Sequence, residues 1–281
     1  MTNSTQSYVT QRLTNKGGSL VTQNLIGLIP AAGKGIRLGL PYPKELYPII
    51  RNNRYKPVSQ FVLENLVQSE VAHCVFIING SKHQLIDYFG SGRRFNCNIS
   101  YVAQDIRESN ETSTSPGLAH ALDSAYHLTI GKVVCFGMPD TIMKPRDIFR
   151  QLITASSPQD QLLVGLFHVN RPEKSGMVQV DDNGIITAIV DKPLRTELKW
   201  GWGCLVWRPE FTDYLHAALN SGQSDFACIM NSAIRDGLRA RGIKLLDGEY
   251  TDLGTYDDIM ELDHSYRAPL EEEVQWDPSS G

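Results

Sequence analysis

Short apolar runs alternate with longer segments of helical period in the first half of this chain, and this alternation restricts its fold more than any other feature. The apolar runs read LIGLIP, AHCVFIIN, NISYVAQ and GKVVCFGMPD, and the segments between them read SQFVLENLVQS, SKHQLIDYFG and PGLAHALDSAYHL. The runs are apolar throughout instead of at every second residue, as in strands buried on both faces. Such strands, joined by helices, predict an α/β fold with a mostly parallel, Rossmann-like sheet flanked by helices.

A different pattern follows Ile153. The stretch QLLVGLFHV precedes GMVQVDDNGIITAIVDKP, in which Asn183 and Gly184 separate two β-rich runs. Asn-Gly between such runs is a strong hairpin signal. We then expect a strand GCLVWR, a helix FACIMNSAIRDGLRAR, a strand IKLLDG and a helix TYDDIMELDHSYR. The sequence thus predicts a small antiparallel β portion added to the main sheet.

The sequence predicts a single domain over residues 24–270, with a tail at each end. Residues 1–23 are rich in Ser, Thr, Asn and Gln, and residues 271–281 are acidic and then small and polar. Segments with so few large apolar groups do not offset the entropy of ordering them, so we expect both tails to be flexible.

Charge and cysteine content bear on partners and compartment. A formal net charge of -4 argues against a nucleic-acid binder, although a local basic cleft could hold an anionic small molecule. The cysteines are scattered singly, without metal-ligand spacing, as in proteins of a reducing compartment. Without a basic-then-apolar leader or an apolar stretch of membrane-spanning length, we expect a cytoplasmic protein that does not bind membranes. The oligomeric state stays open, and a homo-oligomer is compatible with the sequence.

The stretch IPAAGKGIRLGLPYPKE, at residues 29–45, combines a glycine-rich backbone with two cations. Glycines after a strand let backbone N–H groups approach an anion closely. The spacing matches neither the P-loop nor the dinucleotide fingerprint, so the glycines alone are explained equally well by a tight turn. Arg37 and Lys44 favour a phosphate site, because a guanidinium and an ammonium together can neutralise a triphosphate.

Several segments, in the same order, resemble the motifs of the sugar-1-phosphate nucleotidylyltransferases. AAGKGIRL followed by PKELYPI resembles the opening G-x-G-T-R and P-K motifs of that family. The further matches are Gln104 with PGLAHAL, GMPD at 137–140, SGMVQVDDNGIITAIVDKP at 175–193 and EYTDLGTYDDIMEL at 249–262. Together these segments span nearly the whole predicted domain.

The resemblance implies a fold of the nucleotide-diphospho-sugar transferase type and a Mg²⁺-dependent transfer of a nucleoside monophosphate from an NTP to a sugar 1-phosphate, with release of pyrophosphate. By motif, the nucleotide is expected at Ala31, Ala32, Gly33, Lys34, Gly35 and Arg37, with Gln104 and Gly117 at the base. The implied catalytic residues are Arg37, Lys44, Asp140 and Lys192. Gly176, Asp191 and Lys192 are expected at the sugar phosphate, and Asp140 and Asp252 at the metal ion.

The residues themselves are compatible with these roles. Asp140 follows an apolar strand, at the end where open α/β sheets bind ligands, and Asp252 is expected in a loop before a helix. Two carboxylates together with phosphate oxygens suit Mg²⁺, and a bound Mg²⁺ lets like-charged phosphates approach each other. An aspartate after a strand, taken singly, is more commonly a helix cap or turn former. No activated protein nucleophile is needed, because the sugar phosphate itself attacks in line.

The match departs from the family pattern in ways that bear on the substrate. Ile36 replaces the usual Thr, Asp191 replaces the commoner Glu, and the interval from Arg37 to Lys44 is short. The later motifs favour a sugar 1-phosphate as the acceptor. For the donor we expect UTP or dTTP, with CTP as the next choice. The alternatives are a cytidylyltransferase acting on a non-sugar phosphate or phosphonate, a catalytically silent nucleotide or sugar-phosphate sensor, and a glycosyltransferase. Three tryptophans could line a sugar site or belong to the core, namely Trp200, Trp202 and Trp207.

Overall fold

The computed structural model describes residues 24–33, 39–51, 54–105 and 117–267. The strands are β1 (Leu25–Pro30), β2 (Pro48–Arg51), β3 (Arg54–Pro57), β4 (His73–Ile78), β5 (Asn98–Ala103), β6 (Val133–Gly137), β7 (Thr141–Lys144), β8 (Leu162–His168), β9 (Gly176–Val180), β10 (Ile186–Asp191), β11 (Trp200–Trp207), β12 (Ala240–Lys244) and β13 (Glu249–Asp252). The helices are α1 (Val58–Gln68), α2 (His83–Phe89), α3 (Leu118–Ser124), α4 (Tyr126–Thr129), α5 (Ile148–Ala155), α6 (Pro209–Asn220), α7 (Phe226–Arg235) and α8 (Tyr256–Arg267). Both predicted tails lie outside the described residues.

A large mixed sheet forms the centre of the molecule. Its strand order is β10-β9-β11-β6-β1-β4-β5, and β8 and β12 continue it from β11. Strand β1 runs parallel to β4 and β6, and β4 runs parallel to β5, whereas β11 is antiparallel to β6 and β8. The predicted α/β class, with its mostly parallel first half and its antiparallel addition, is confirmed.

Hydrophobic side chains cover both faces of this sheet. The neighbours Leu28 and Ile29 of β1 pack into different buried clusters, the first with Phe136 and the second with Phe76. Since a strand points successive side chains to opposite faces, a strand covered by helices on both sides must be apolar at every position. This explains the uninterrupted apolar runs in the sequence.

The hairpin predicted at Asn183 and Gly184 is present between β9 and β10, with Gly184 at φ +77°. The predictions after it were partly wrong. Helix α7 ends at Arg235 and not at residue 241, and β12 covers Ala240–Lys244, earlier than the predicted 243–248. Gly237 has φ +103°, a left-handed conformation that terminates the helix.

Two small antiparallel sheets stand apart from the main one. One pairs β2 with β3, and the other pairs β7 with β13. The second sheet corrects the expectation for Asp252, which is the last residue of β13 and pairs with Thr141 instead of lying in a loop. Because β7 follows the carboxyl end of β6 closely, this small sheet brings the carboxyl-terminal part of the chain to the ligand-binding edge of the main sheet.

Candidate active site

A cavity of about 330 Å³ opens at this edge. It brings together residues that are far apart in the sequence and that the motifs had singled out. These are Gly117, Asp140, Gly176, Asp191, Lys192 and Asp252. Its volume is in the range of ordinary small-molecule sites.

Lys44 enters the same site from the first loop. It lies in the short 3-10 helix Lys44–Leu46, and its Nζ donates a hydrogen bond to Oδ2 of Asp140. Burial lowers the pKa of the Lys44 ammonium, but the charge and hydrogen bond of Asp140 act against this, and the net pKa is raised. Lys44 is therefore protonated at neutral pH and fixed beside a carboxylate.

Asp140 and Asp252 form a close acidic pair. The backbone N–H of Leu253 donates to the carbonyl oxygen of Asp140 at 2.9 Å, which fixes the two segments against each other. The Asp252 side chain is partly exposed to solvent, but neighbouring protein atoms remove part of the water around its carboxyl group. This desolvation, followed by the charge of Asp140, raises the pKa of Asp252 to about 6, while Lys44 acts in the opposite direction.

This pair has the properties of a partial metal site. Oδ1 of Asp140 is buried and has no hydrogen-bond partner among the described residues, since Oδ2 alone binds Lys44. An unpaired buried carboxylate oxygen is costly unless a cation compensates it. In the described part of the chain no group of three or more His, Cys, Asp or Glu is placed to bind a metal ion. Two carboxylates fit a hard ion such as Mg²⁺, whose other ligands are phosphate oxygens and water.

The end of the β9–β10 hairpin forms another wall of the cavity. Lys192, which follows β10, has φ +45°, and its N–H donates to the carbonyl oxygen of Ser175 at 3.1 Å. Its Nζ lies 3.9 Å from Oδ2 of Asp191, and 60% of its side chain is exposed. The ammonium is thus held near the cavity mouth, where it is free to meet an anionic group of a ligand.

Gly176 is required by its contact with Trp202. A Cβ at this position would lie 2.6 Å from Cδ1 of the Trp202 indole, well inside van der Waals contact. Trp202 itself lines the cavity. Among the alternatives that the sequence left open for the tryptophans, Trp202 is therefore at the site, whereas Trp207 belongs to the core, where 2% of it is exposed.

The nucleotide side of the predicted site lies at the ends of β1 and β5. The N–H of Ala31 donates to the carbonyl oxygen of Ile77 at 2.7 Å, and Ala31 and Ala32 are buried. A Cβ at Gly33 would meet nothing within 4 Å among the described residues, so no packing of that part of the chain requires glycine there. Gln104 is buried, and its Nε2 has no partner in the described part of the chain.

Some predicted residues are not placed in this site. Lys34, Gly35 and Arg37 lie outside the described residues. Gln104 is at the same edge of the sheet, but it does not line the cavity, and neither do Ala31, Ala32, Gly33 and Lys44.

Other cavity residues were not predicted as site residues by the sequence analysis, although Leu118, Met138, Ser175 and Tyr250 lie within the matched segments. The residues not predicted are chiefly Leu118, Met138, Thr141, Lys174, Ser175, Ser224, Asp225, Phe226, Ala227, Met230 and Tyr250. Asp225 has a recognisable local role, because its Oδ1 accepts a hydrogen bond from the N–H of Cys228 and caps α7. The others could be found only from the folded structure.

Comparison with known proteins decides the family. The sequence profile of the nucleotidyl transferase family matches residues 26–268. The chain belongs to this family. The resemblance to the sugar-1-phosphate nucleotidylyltransferases is thereby confirmed, and the protein is an enzyme of the nucleotidyltransferase class.

Curated relatives of this nucleotidyl transferase are distant. It is 24% identical over 243 residues to a low-salt glycan biosynthesis nucleotidyltransferase of Haloferax volcanii, covering 84% of this chain and 64% of that protein. It is 24% identical over 260 residues to a glucose-1-phosphate thymidylyltransferase of Streptomyces antibioticus, covering 88% of this chain and 68% of that protein. It is 26% identical over 272 residues to a UTP–glucose-1-phosphate uridylyltransferase of Synechocystis, covering 88% of this chain and 64% of that protein. The chain thus spans about two thirds of the length of these relatives.

Solved structures show the same fold for this nucleotidyl transferase. A Bacillus anthracis protein described as a glucose-1-phosphate thymidylyltransferase, in complex with sucrose, gives a TM-score of 0.72 at 20% identity, covering 89% of this chain and 98% of that chain. A UTP-bound UGPase of Acinetobacter baumannii gives a TM-score of 0.68 at 16% identity, covering 86% and 92% of the two chains. No helix in the described residues is long and apolar enough to cross a membrane.

Proposed function

We propose that this nucleotidyl transferase moves a nucleoside monophosphate from an NTP to a sugar 1-phosphate, with Mg²⁺ as the metal ion and UTP or dTTP as the donor. The observation that most supports this proposal is that Asp140, Asp252 and Lys192 line one cavity and that Lys44 is ion-paired with Asp140. Cations and acids from four separate segments meet there, as a reaction between two phosphate esters requires.

The proposed reaction needs no nucleophile from the protein. An oxygen of the sugar phosphate attacks the α-phosphorus of the NTP, the new P–O bond forms as the bond to the β-phosphate oxygen breaks, and pyrophosphate leaves. Lys44 neutralises charge on the α-phosphate, and Lys192, in the cavity wall, binds the incoming phosphate. Arg37, outside the described residues, is proposed to bind the leaving pyrophosphate.

Asp140 and Asp252 are the proposed metal ligands. Bound Mg²⁺ supplies positive charge that lets the two anionic substrates approach each other. Asp140 offers Oδ1 for this purpose, because Oδ2 is already bound to Lys44. Asp252 must be deprotonated to bind a cation, and its pKa of about 6 permits this at neutral pH.

The nucleotide is proposed to lie along the ends of β1 and β5. Ala31, Ala32 and Gly33 place backbone groups there, and Gln104 is buried with an Nε2 that has no partner in the described residues. Lys34 and Gly35 continue the same loop, and Gly117 lies at the cavity wall. A buried, unpaired amide is suited to hydrogen bonding with a base edge.

The acceptor is proposed to lie between Gly176 and Asp191, as the resemblance implies. The names of two relatives support a sugar 1-phosphate as the acceptor, because the Streptomyces and Synechocystis proteins are both named as transferases for glucose 1-phosphate. One observation favours a second candidate. The cavity wall includes the apolar side chains of Trp202, Phe226 and Met230, which suit an acceptor with fewer hydroxyl groups, such as a non-sugar phosphate or phosphonate.

A pyrophosphate-release assay tests the proposal. The protein is incubated with each of UTP, dTTP, CTP, ATP and GTP, with MgCl₂ or with a chelator, and with a panel of hexose 1-phosphates, hexosamine 1-phosphates, polyol phosphates and aminoalkyl phosphonates. We expect turnover with UTP or dTTP and a sugar 1-phosphate, lost with the chelator. Turnover only with CTP and a non-sugar acceptor would support the second candidate instead, and no turnover in any combination would reject both.

Two cavity variants and one control variant show whether the observed turnover belongs to this cavity. Asp140→Ala and Asp252→Ala should abolish Mg²⁺-dependent turnover and leave circular dichroism unchanged. Asp247→Ala, which changes an exposed aspartate outside the cavity, should behave like the unmodified protein. Near-normal rates in either cavity variant would contradict the metal assignment.

A further inference from the structure

A buried ion pair lies directly behind the proposed catalytic lysine. Nζ of Lys82 is 2.5 Å from Oε2 of Glu45, and only 3% and 1% of the two side chains are exposed. Neither residue lines the cavity. A buried ion pair is weak grounds for a role in stability, because the cost of desolvating both charges can exceed their attraction. We therefore consider a functional role for the Lys82–Glu45 pair.

Glu45 is the residue next to Lys44, and the two side chains have different partners. Lys44 is bound to Asp140 in the site, whereas Glu45 is bound to Lys82 in the interior. The backbone directly after Glu45 is held in place, because the carbonyl oxygen of Glu45 accepts a hydrogen bond from Oγ of Ser59 at 2.6 Å. Glu45 is still close enough to act on Lys44, because the two residues are adjacent in the chain.

The segment that carries Lys82 also contacts the start of the glycine-rich loop. Nδ2 of Asn79 donates to the carbonyl oxygen of Ala32 at 2.6 Å, and the N–H of Lys82 donates to the carbonyl oxygen of Asn79 at 3.0 Å. The connection between β4 and α2 thus holds both Ala32, before the loop, and Glu45, after it. Lys82 therefore belongs to a segment that is fixed by hydrogen bonds.

We propose that Lys82 is a positioning residue for the transfer reaction. It neutralises Glu45 and holds its carboxylate away from Lys44, so that the Lys44 ammonium binds Asp140 and is available to the substrate phosphates. This inference rests on the proposed function for its catalytic consequence. The placement of Lys44 itself does not depend on that function.

Lys44 has three acidic neighbours that raise its pKa, namely Asp140, Glu45 and Asp252. Burial raises the pKa of the Glu45 carboxyl, and the Lys82 ammonium acts against that rise. If Lys82 is removed, Lys44 is the remaining cation whose charge acts on the Glu45 carboxyl. A Glu45 carboxylate that stays charged at pH 8 is then stabilised by pairing with Lys44. Lys44 would then leave Asp140.

Three variants, assayed at pH 8, test this positioning role. Lys82→Met should lower kcat about 10- to 100-fold with less than about a threefold change in KM for the NTP, because misplacing one catalytic group costs this much. Adding Glu45→Met removes the competing carboxylate, and the double variant should recover kcat to within about fivefold of the unmodified protein. Arg241→Met weakens another pair at a buried carboxylate, Asp160, far from the site, and should retain normal kcat.

A second readout follows Lys44 without using activity. Amine labelling with mass spectrometry measures the modification rate of Lys44 relative to that of the exposed Lys192. In Lys82→Met this ratio should fall about threefold or more, as Lys44 turns inward to Glu45, and it should return in the double variant. In Arg241→Met the ratio should stay constant.

The outcomes separate the two proposals. Normal kcat and an unchanged labelling ratio in folded Lys82→Met would overturn the positioning role, as would a double variant that stays as slow as the single one. If the unmodified protein shows no turnover with any NTP but the labelling ratio falls as described, the proposed function fails and the role of Lys82 in placing Lys44 stands.

Discussion

At the scale of single residues, Asp252 is the group whose titration has the clearest consequence. Its pKa is raised to about 6 in the folded protein, from an ordinary value of 3.8. Because this carboxyl binds its proton more tightly in the folded state, the free energy of unfolding falls as the pH rises from about 3.8 to about 6. Above that range the free energy of unfolding stays lower by the same amount. Asp252→Asn removes the charge, so we expect its thermal midpoint to exceed that of the unmodified protein at pH 7.5 without metal.

The advantage of Asp252→Asn should vanish near pH 4, where the unmodified carboxyl is protonated in the folded state. Midpoints measured by calorimetry at pH 4 and pH 7.5 in a chelator check this. Asp247→Asn, at an exposed aspartate outside the cavity, provides the comparison. An equal difference between Asp252→Asn and the unmodified protein at both pH values would show that the carboxyl is not titrating in this range.

Lys192 is the residue whose substitution tests the proposed binding site for the phosphorylated acceptor. Because its ammonium is exposed and weakly paired, Lys192→Ala should cost little stability and should mainly raise KM for the phosphorylated acceptor. If the bound phosphate excludes water, the loss in kcat/KM corresponds to about 2 kcal/mol of transition-state binding. Initial rates at varied acceptor and fixed NTP measure it.

Lys199→Ala is the matched control for Lys192→Ala, since Lys199 is an exposed lysine between β10 and β11 outside the cavity. A KM for the acceptor that is the same in both variants would remove Lys192 from the proposed site.

At the scale of elements, the start of β9 must pass the Trp202 indole of β11 without a side chain. Gly176→Ala should displace the indole into the cavity, lower the thermal midpoint and raise KM for the acceptor more than KM for the NTP. The double variant Gly176→Ala/Trp202→Leu should lose less stability than the sum of the single losses, because the overlap is absent. Thermal unfolding and two-substrate kinetics measure both effects, and strictly additive losses would argue against the contact.

The regular elements were predictable where one local rule determined them. Uninterrupted apolar runs identified β1, β4 and β6, and Asn183-Gly184 identified the hairpin between β9 and β10. Strands β7 and β13 were not recognised, because each has four residues of mixed polarity and is stabilised by pairing with the other, far along the chain. The end of α7 was misplaced because the residues around Gly237 favour helix, whereas the glycine takes a left-handed conformation.

The candidate site divides in the same way. Asp140, Gly176 and Lys192 could be proposed from short motifs, and the structure gathers them at one cavity. Lys82 could not, because its ion pair with Glu45 joins segments 37 residues apart and follows from the packing of β4 and α2 against the first loop. Motifs record residues that meet the ligand, whereas the groups that hold those residues in place depend on tertiary contacts.

At the scale of the whole molecule, the site joins segments from both ends of the described domain, from Lys44 to Asp252. A ligand that binds across such a site stabilises the folded state by mass action, by about 2.7 kcal/mol at a concentration 100 times its Kd. We expect an NTP of the accepted type, with MgCl₂, to raise the thermal midpoint clearly, and the same NTP with a chelator to raise it much less. UTP and dTTP should exceed ATP and GTP.

Asp140→Asn provides the control for this experiment, because it removes a proposed metal ligand while keeping the shape of the side chain. It should abolish the difference between MgCl₂ and chelator, and it should lower the midpoint of the ligand-free protein because it also breaks the Lys44–Asp140 ion pair. The same measurement distinguishes the silent sensor from the enzyme. A metal-dependent rise in midpoint together with pyrophosphate release indicates the transferase, whereas the rise without any turnover, over the full acceptor panel, indicates a sensor that binds nucleotide in the same cavity.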